Sequence, residues 1–207
     1  KKQFFTDWEA IIIDDFSTDN TRELIESQIQ GDKRFIFRSN TKKPLISGPY
    51  SARNSAIELS SGRYICFFDI DDFWFPNKLK RYYKILSESK NIKLIYSNYF
   101  RYRVDKKKFT NREESLKWLG IKNLIKISNP IPMSSCCLKR DTIGSLRFKP
   151  INHEDYFFWY QVISKLDESD IFYDSQINSL YAIHKHSISS SKFKSILWII
   201  KIYQKIC

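Results

Sequence analysis

The chain has 207 residues, 42% apolar and 28% charged, with five glycines and six prolines. That balance fits one globular domain and excludes a collagen-like or low-complexity chain. A formal net charge of +12 suits anionic partners without choosing among nucleotide phosphates, nucleic acid and an acidic membrane face.

Four cysteines, Cys66, Cys136, Cys137 and Cys207, lack CxxC spacing and an accompanying histidine cluster. They read as reduced thiols, not a zinc site. No apolar run reaches the roughly 20 residues of a membrane span. The segment from Lys1 to Phe5 does not read as a leader. A cytoplasmic protein is therefore expected.

In chain order, Ala10 to Ile13 is an apolar run ending in Asp14-Asp15, the pattern of a buried strand. A helix is predicted from Arg22 to Gln30, with Asn20 and Glu23 spaced as a cap and Gly31 as its stop. Arg34 to Phe37 reads as a strand and Ser51 to Ser60 as a helix closed by Gly62. Tyr64 to Phe68 is a second buried strand, ending in Asp69-Ile70-Asp71-Asp72. Pro76 suits the first turn of a helix reaching about Glu88, and Lys93 to Ser97 is a third buried strand. This rhythm predicts an α/β fold, with a mostly parallel sheet covered by helices on both faces.

The second half is less regular. Glu113 to Lys126 is a helix candidate weakened by Gly120, and Asn129-Pro130-Ile131-Pro132 breaks the chain. Met133 to Leu138 reads as a strand that points Cys136 and Cys137 to opposite faces. Glu154 to Leu166 is an aromatic helix, Leu180 to His184 a strand, and Ser195 to Ile206 a basic, apolar helix. The aromatic cluster Phe157, Phe158 and Trp159 reads as core, and His153 and His186 as solvated loop residues.

Ligands of open α/β sheets bind beyond the carboxyl ends of strands. Both acidic clusters fall at such ends and should face one crevice. Carboxylates gathered there repel one another unless a cation sits among them. A hard divalent ion, Mg²⁺ or Mn²⁺, suits carboxylate and phosphate oxygens together. It would neutralise a departing diphosphate.

Several segments resemble family 2 glycosyltransferases. Trp8 to Thr21 is similar to that family's I-I-V-D-D-G-S-T-D segment, and Ser51-Ala52-Arg53-Asn54 to its A-R-N helix. Gly62 to Leu79 resembles its G-x-Y-I-x-F-L-D-x-D-D-x-W-x-P-x-K-L stretch. His153 to Trp159 resembles its E-D-Y-x-x-W motif, and Tyr181 to Ser189 its closing Y-R-x-H-x-x-S-x-S stretch. The resemblance implies a GT-A fold and transfer of a sugar, with inversion, from a nucleotide-sugar donor, a UDP-sugar above all. The acceptor would be a glycan or a lipid-linked glycan, in bacterial surface polysaccharide assembly. It assigns Asp15 to the donor base, Arg53 to the phosphates, Asp69 to ribose, Asp71 to the metal and Asp72 to orientation. Asp155 is the implied general base, with Glu154 as the alternative, and His184 reaches the metal or diphosphate.

The chain departs from the family pattern in three places. The family's first strand and following helix have no counterpart, so Ala10 to Ile13 is expected to lack a neighbour and leave a slot or open edge. Phe16 stands where the family has Gly, which suggests a different turn, and Ala182 stands where Arg is common. An inactive glycosyltransferase-like fragment or interaction domain is the alternative that the missing strand favours. A nucleic-acid-binding module is the third reading, opposed by the absence of an RNP motif, a basic repeat and a zinc pattern. Residues 1–191 read as one domain, a donor-binding half to about 100 and an acceptor half beyond. Residues 192–207 read as a basic amphipathic helix suited to peripheral contact with an anionic membrane.

Overall fold

The computed structural model describes residues 2–41, 44–46, 48–110 and 120–184. His186, the expected helix over 192–207 and the first part of the expected helix from Glu113 lie outside the described residues.

The chain opens on a βαβ unit. β1 (Ala10–Asp14) and β2 (Phe35–Ser39) pair in parallel, with Ala10 opposite Phe35 and Asp14 opposite Ser39. α1 (Thr21–Ile29) connects them. Asn20 makes no side-chain cap; instead Asp19 accepts the Thr21 backbone N–H at 3.1 Å. Gly31, at φ +78°, ends the helical turn as its lack of a Cβ permits. Phe16 takes φ +66° after Asp14-Asp15. A left-handed turn therefore forms at this position without glycine. The Ala10–Ile13 run is half-buried instead of buried, since β1 has β2 as its strand partner among the described residues.

A six-stranded sheet forms the body. Its order is β3 (Tyr64–Ile65), β7 (Cys136–Lys139), β5 (Leu94–Arg103), β8 (Ile171–Ile183) and β4 (Phe73–Trp74), with β6 (Lys108–Thr110) paired to β5. The α/β class holds, but the sheet is mixed instead of mostly parallel. β5 and β8 are parallel, whereas β7 runs antiparallel between β3 and β5. β3 and β5 still point the same way, as their rhythm implies. Sequence rhythm sets such directions without revealing which later strand inserts between two earlier ones.

Helices lie on both faces. α3 (Lys78–Glu88) places Tyr82 and Leu86 in a cluster with Ile95 and Cys137. α2 (Tyr50–Leu59), α4 (Ile121–Leu124), α5 (Arg140–Ile143) and α6 (Glu154–Ser164) share the larger cluster with Leu94, Cys136 and Leu138. Alternation along β5 and β7 thus divides Leu94 from Ile95 and Cys136 from Cys137, as the period of two requires. Trp159 and Phe158 are fully buried, and Phe158 stacks on Phe148 at 4.0 Å. Each such side chain stabilises the fold by about 1.5–3 kcal/mol. Met133–Ser135 forms a 3₁₀ turn ahead of β7, so the expected strand begins three residues late.

Candidate active site

α2 is the hub of the acidic crevice. Arg53 donates to Asp69 Oδ1 and to Glu154 Oε1, each at 2.7 Å. Its side chain is 14% exposed and stands over the Phe148 ring. Burial alone would lower its pKa, but the Asp69 and Glu154 charges win and keep the guanidinium charged. Besides the phosphate contact expected of it, Arg53 thus has a structural role, tying the carboxyl end of β3 to the start of α6. Its neighbour Asn54 exchanges two bonds with the Phe148 backbone, at 2.8 and 2.9 Å, which fixes that loop under the helix.

The acids of the loop after β3 are held separately. Asp69 donates its backbone N–H to Ser134 Oγ at 2.9 Å and accepts the Asp72 N–H at its carbonyl. Asp72 is buried and accepts the Ala182 backbone N–H at 3.0 Å. Burial pushes its carboxyl up to about 6, aided by the Asp69 and Asp71 charges and opposed by bonds from Ser134 and Ala182. At the position where the resemblance called for an Arg side chain, Ala182 engages the site through its backbone. Adjacent Tyr181 faces the same carboxylates; burial, with Asp72 and Asp69 next, pushes its phenol up to about 12.

Asp71 and His184 meet at 3.4 Å, both about half exposed. A carboxylate oxygen and an imidazole nitrogen converging on one spot suit a divalent ion of the Mn²⁺ kind. They make only part of a shell, for no group of three His, Cys, Asp or Glu suited to a metal occurs among the described residues. The remaining donors would be diphosphate oxygens and water.

Across the crevice, α6 begins with Glu154 and Asp155, preceded by half-buried His153 at φ +56° instead of a solvated loop histidine. Burial, then the Asp155 charge, pushes the Glu154 carboxyl up against the opposing pull of Arg53. Asp155 accepts a 2.8 Å bond from Asn129 Nδ2 at Oδ2, and its other oxygen takes no hydrogen bond among the described residues.

At the end of the first sheet, Asp15 accepts Asn40 Nδ2 at 2.7 Å. Asp14, expected to share the crevice, is instead buried and turned to local work: it accepts the Ser17 N–H at 3.2 Å and pairs with Arg22 at 3.8 Å.

The structure thus unites Arg53, Asp69 and Glu154 directly. It links Asp72 to Asp69 through the loop and pairs Asp71 with His184. Three contributors carry no sequence motif: Asn40, Asn129 and Ser134. The last two belong to one buried strap, Asn129–Ser135, rigidified by Pro130 and Pro132. A polar residue just ahead of a Pro-x-Pro break before a strand is the available signal.

This arrangement has parallels. The model of the family described as "Glycosyl transferase family 2" matches residues 1–144. An uncharacterized glycosyltransferase of Haemophilus influenzae is 32% identical over 206 residues, covering 98% of this chain and 78% of the relative. The Escherichia coli enzyme WfaP, a UDP-Glc:α-D-GlcNAc-diphosphoundecaprenol β-1,3-glucosyltransferase by name, is 30% identical over 94% of this chain and 73% of its own. Among solved structures, S. aureus TarS 1-349 with UDP-GlcNAc superposes with a TM-score of 0.73 at 17% identity, covering 92% of this chain. The mannosyltransferase PcManGT from Pyrobaculum calidifontis, with GDP-Man and Mn²⁺, gives 0.70 at 11% identity over 99% of this chain. The chain spans about half the length of these two structures, 54% and 57%. With 144 of its residues matched by the family model and its acidic crevice set on the GT-A fold, the chain belongs to glycosyl transferase family 2.

Proposed function

We propose that the chain transfers a sugar from a UDP-sugar to a glycan or lipid-linked acceptor, with inversion, in surface polysaccharide assembly. The observation that carries the reading is the meeting of two carboxylate sets through Arg53: Asp69, with Asp71 and Asp72 beside it after β3, and Glu154, with Asp155 beside it at the head of α6. Relatives named for UDP-glucose and lipid-diphosphate substrates support the donor and acceptor classes.

In this reading Asp15 meets the donor base and Asp69 the ribose. Asp71 and His184 hold the divalent ion, which when bound supplies positive charge beside the diphosphate. Asp155 takes the proton from the acceptor hydroxyl as it attacks the anomeric carbon on the face opposite the leaving group. Asp155 suits that role better than Glu154 because Arg53 already occupies Glu154, whereas Asn129 orients Asp155 by one oxygen only.

Calorimetric titration with UDP, with and without Mn²⁺, on the chain and on Asp71→Asn tests the donor site. Mn²⁺-dependent binding that weakens at least about tenfold in the variant is expected. A folded chain that binds no UDP in Mn²⁺ would sink the reading.

A further inference from the structure

Asp15 and Asn40 lie one residue beyond the last register pair of the parallel sheet, Asp14 and Ser39. Asn40 is buried at 6% exposure. Its backbone N–H donates to the Asp14 carbonyl at 2.8 Å, continuing the ladder. Its side-chain Nδ2 donates to Asp15 Oδ1 at 2.7 Å and to Ser51 Oγ at 2.9 Å. Its Oδ1 accepts from Ser55 Oγ at 3.2 Å. Ser51 and Ser55 are one turn apart on α2, so a single helix face grips the amide.

Chemistry fixes the sense of that amide. An ionised carboxylate only accepts, so the side facing Asp15 must be the NH₂ group. The amide's two donors and its oxygen are all engaged. Asp15 Oδ1 therefore already holds one donor, while Oδ2 takes no hydrogen bond among the described residues.

A carboxylate with two open oxygens matches guanine, which presents an imino N–H and an amino N–H side by side. A carboxylate with a donor already on one oxygen matches uracil better, whose single imino N–H stands between two carbonyls and needs only the other oxygen. Cytosine offers a bare ring nitrogen there and is repelled in either case. We infer that Asn40 is a specificity-determining residue: by capping one oxygen of Asp15 it selects a uracil nucleotide over a guanine nucleotide. The inference rests on the reading of Asp15 as the donor-base contact. The Asn40 NH₂ would compete with a guanine amino group for that oxygen, setting donor against donor. Leaving a polar group of the wrong base unpaired in a closed site discriminates strongly.

Competition titrations with UDP, GDP and CDP in Mn²⁺ test this on the whole chain, on Asn40→Ala and on Ser55→Ala. The chain should bind UDP at least about tenfold more tightly than GDP or CDP. Asn40→Ala should reduce the UDP/GDP ratio about tenfold while leaving the order of UDP and CDP intact. Ser55→Ala keeps the amide but releases its oxygen, and should lower the same ratio about threefold. It also serves if Asn40→Ala does not fold. Equal weakening of all three nucleotides in the variants would show a merely structural role and overturn the inference alone. A wild-type chain that prefers GDP overturns it too. A wild-type chain that binds none of the three overturns the donor-site reading and this inference with it.

Discussion

Lys78 is fully buried, with no exposed surface and its Nζ 3.1 Å from Tyr82 Oη. It stands 4.4 Å from the Tyr82 ring centroid and 5.3 Å from that of Trp74. Burial pulls its pKa down to about 8, although nearby cysteines and Asp174 resist. The unfolded chain holds that proton to about 10.5, so the buried ammonium is a full cost below pH 8 and is relieved as pH rises from 8 to 10.5. Stability relative to Lys78→Met should thus increase by about 1–3 kcal/mol between pH 7.5 and 10. Urea melts of both proteins at the two pH values measure it, and a constant difference would refute it. Lys78 also shows what a single residue reveals in sequence. As part of W-x-P-x-K-L it is conspicuous, yet nothing in the string says that it is buried. The acid clusters were legible because each ends its own apolar run. Asn40, Asn129 and Ser134 were not, because their partners lie 25, 26 and 65 residues away.

At the scale of elements, one side chain links the first sheet to the second. Glu9, just ahead of β1, accepts the Ser61 N–H at 2.6 Å, the Gly62 N–H at 2.8 Å and the Ser61 hydroxyl at 2.9 Å. Burial would raise its pKa, but these bonds outweigh it and leave the carboxyl below its ordinary value. Its contribution is therefore present above pH 4.5 and lost as pH falls through the lower folded value. Glu9→Ala should cost about 1 kcal/mol at pH 7, kept small by solvent screening, and less below pH 4. Chemical denaturation at pH 7 and 3.5 checks both parts; an equal loss at the two values would count against the ionised tie. Helix positions were largely legible, since periodicity and Gly31 or Pro76 mark them locally, whereas strand lengths were not: β8 begins at Ile171, well ahead of the expected Leu180. The capping residue was not: Asn20 and Asp19 are equally plausible by type, and the backbone turn chose Asp19. The insertion of β7 between β3 and β5 was hidden for the same reason as the site's asparagines, being a pairing across distant sequence.

For the whole molecule, the net charge of +12 accompanies a site that gathers the carboxylates Asp69, Asp71, Asp72, Glu154 and Asp155. Among the described residues no helix is long and apolar enough to cross a membrane. The bonds that close the crevice span great lengths of chain: Arg53 to Glu154 across 101 residues, and Ala182 to Asp72 across 110. This has a consequence in time. As the polypeptide is made, Asp69, Asp71 and Asp72 emerge long before β8 and α6, and no partial chain possesses the crevice. Closing contacts so far apart is slow relative to forming helices. Nucleotide recognition should therefore be the last property to appear on refolding. In stopped-flow dilution from urea, UDP-induced fluorescence change should lag far-ultraviolet dichroism, and coincident rates would show that the crevice forms with the helices. On that order of events, the nascent chain holds Asp69, Asp71 and Asp72 idle until β8 arrives.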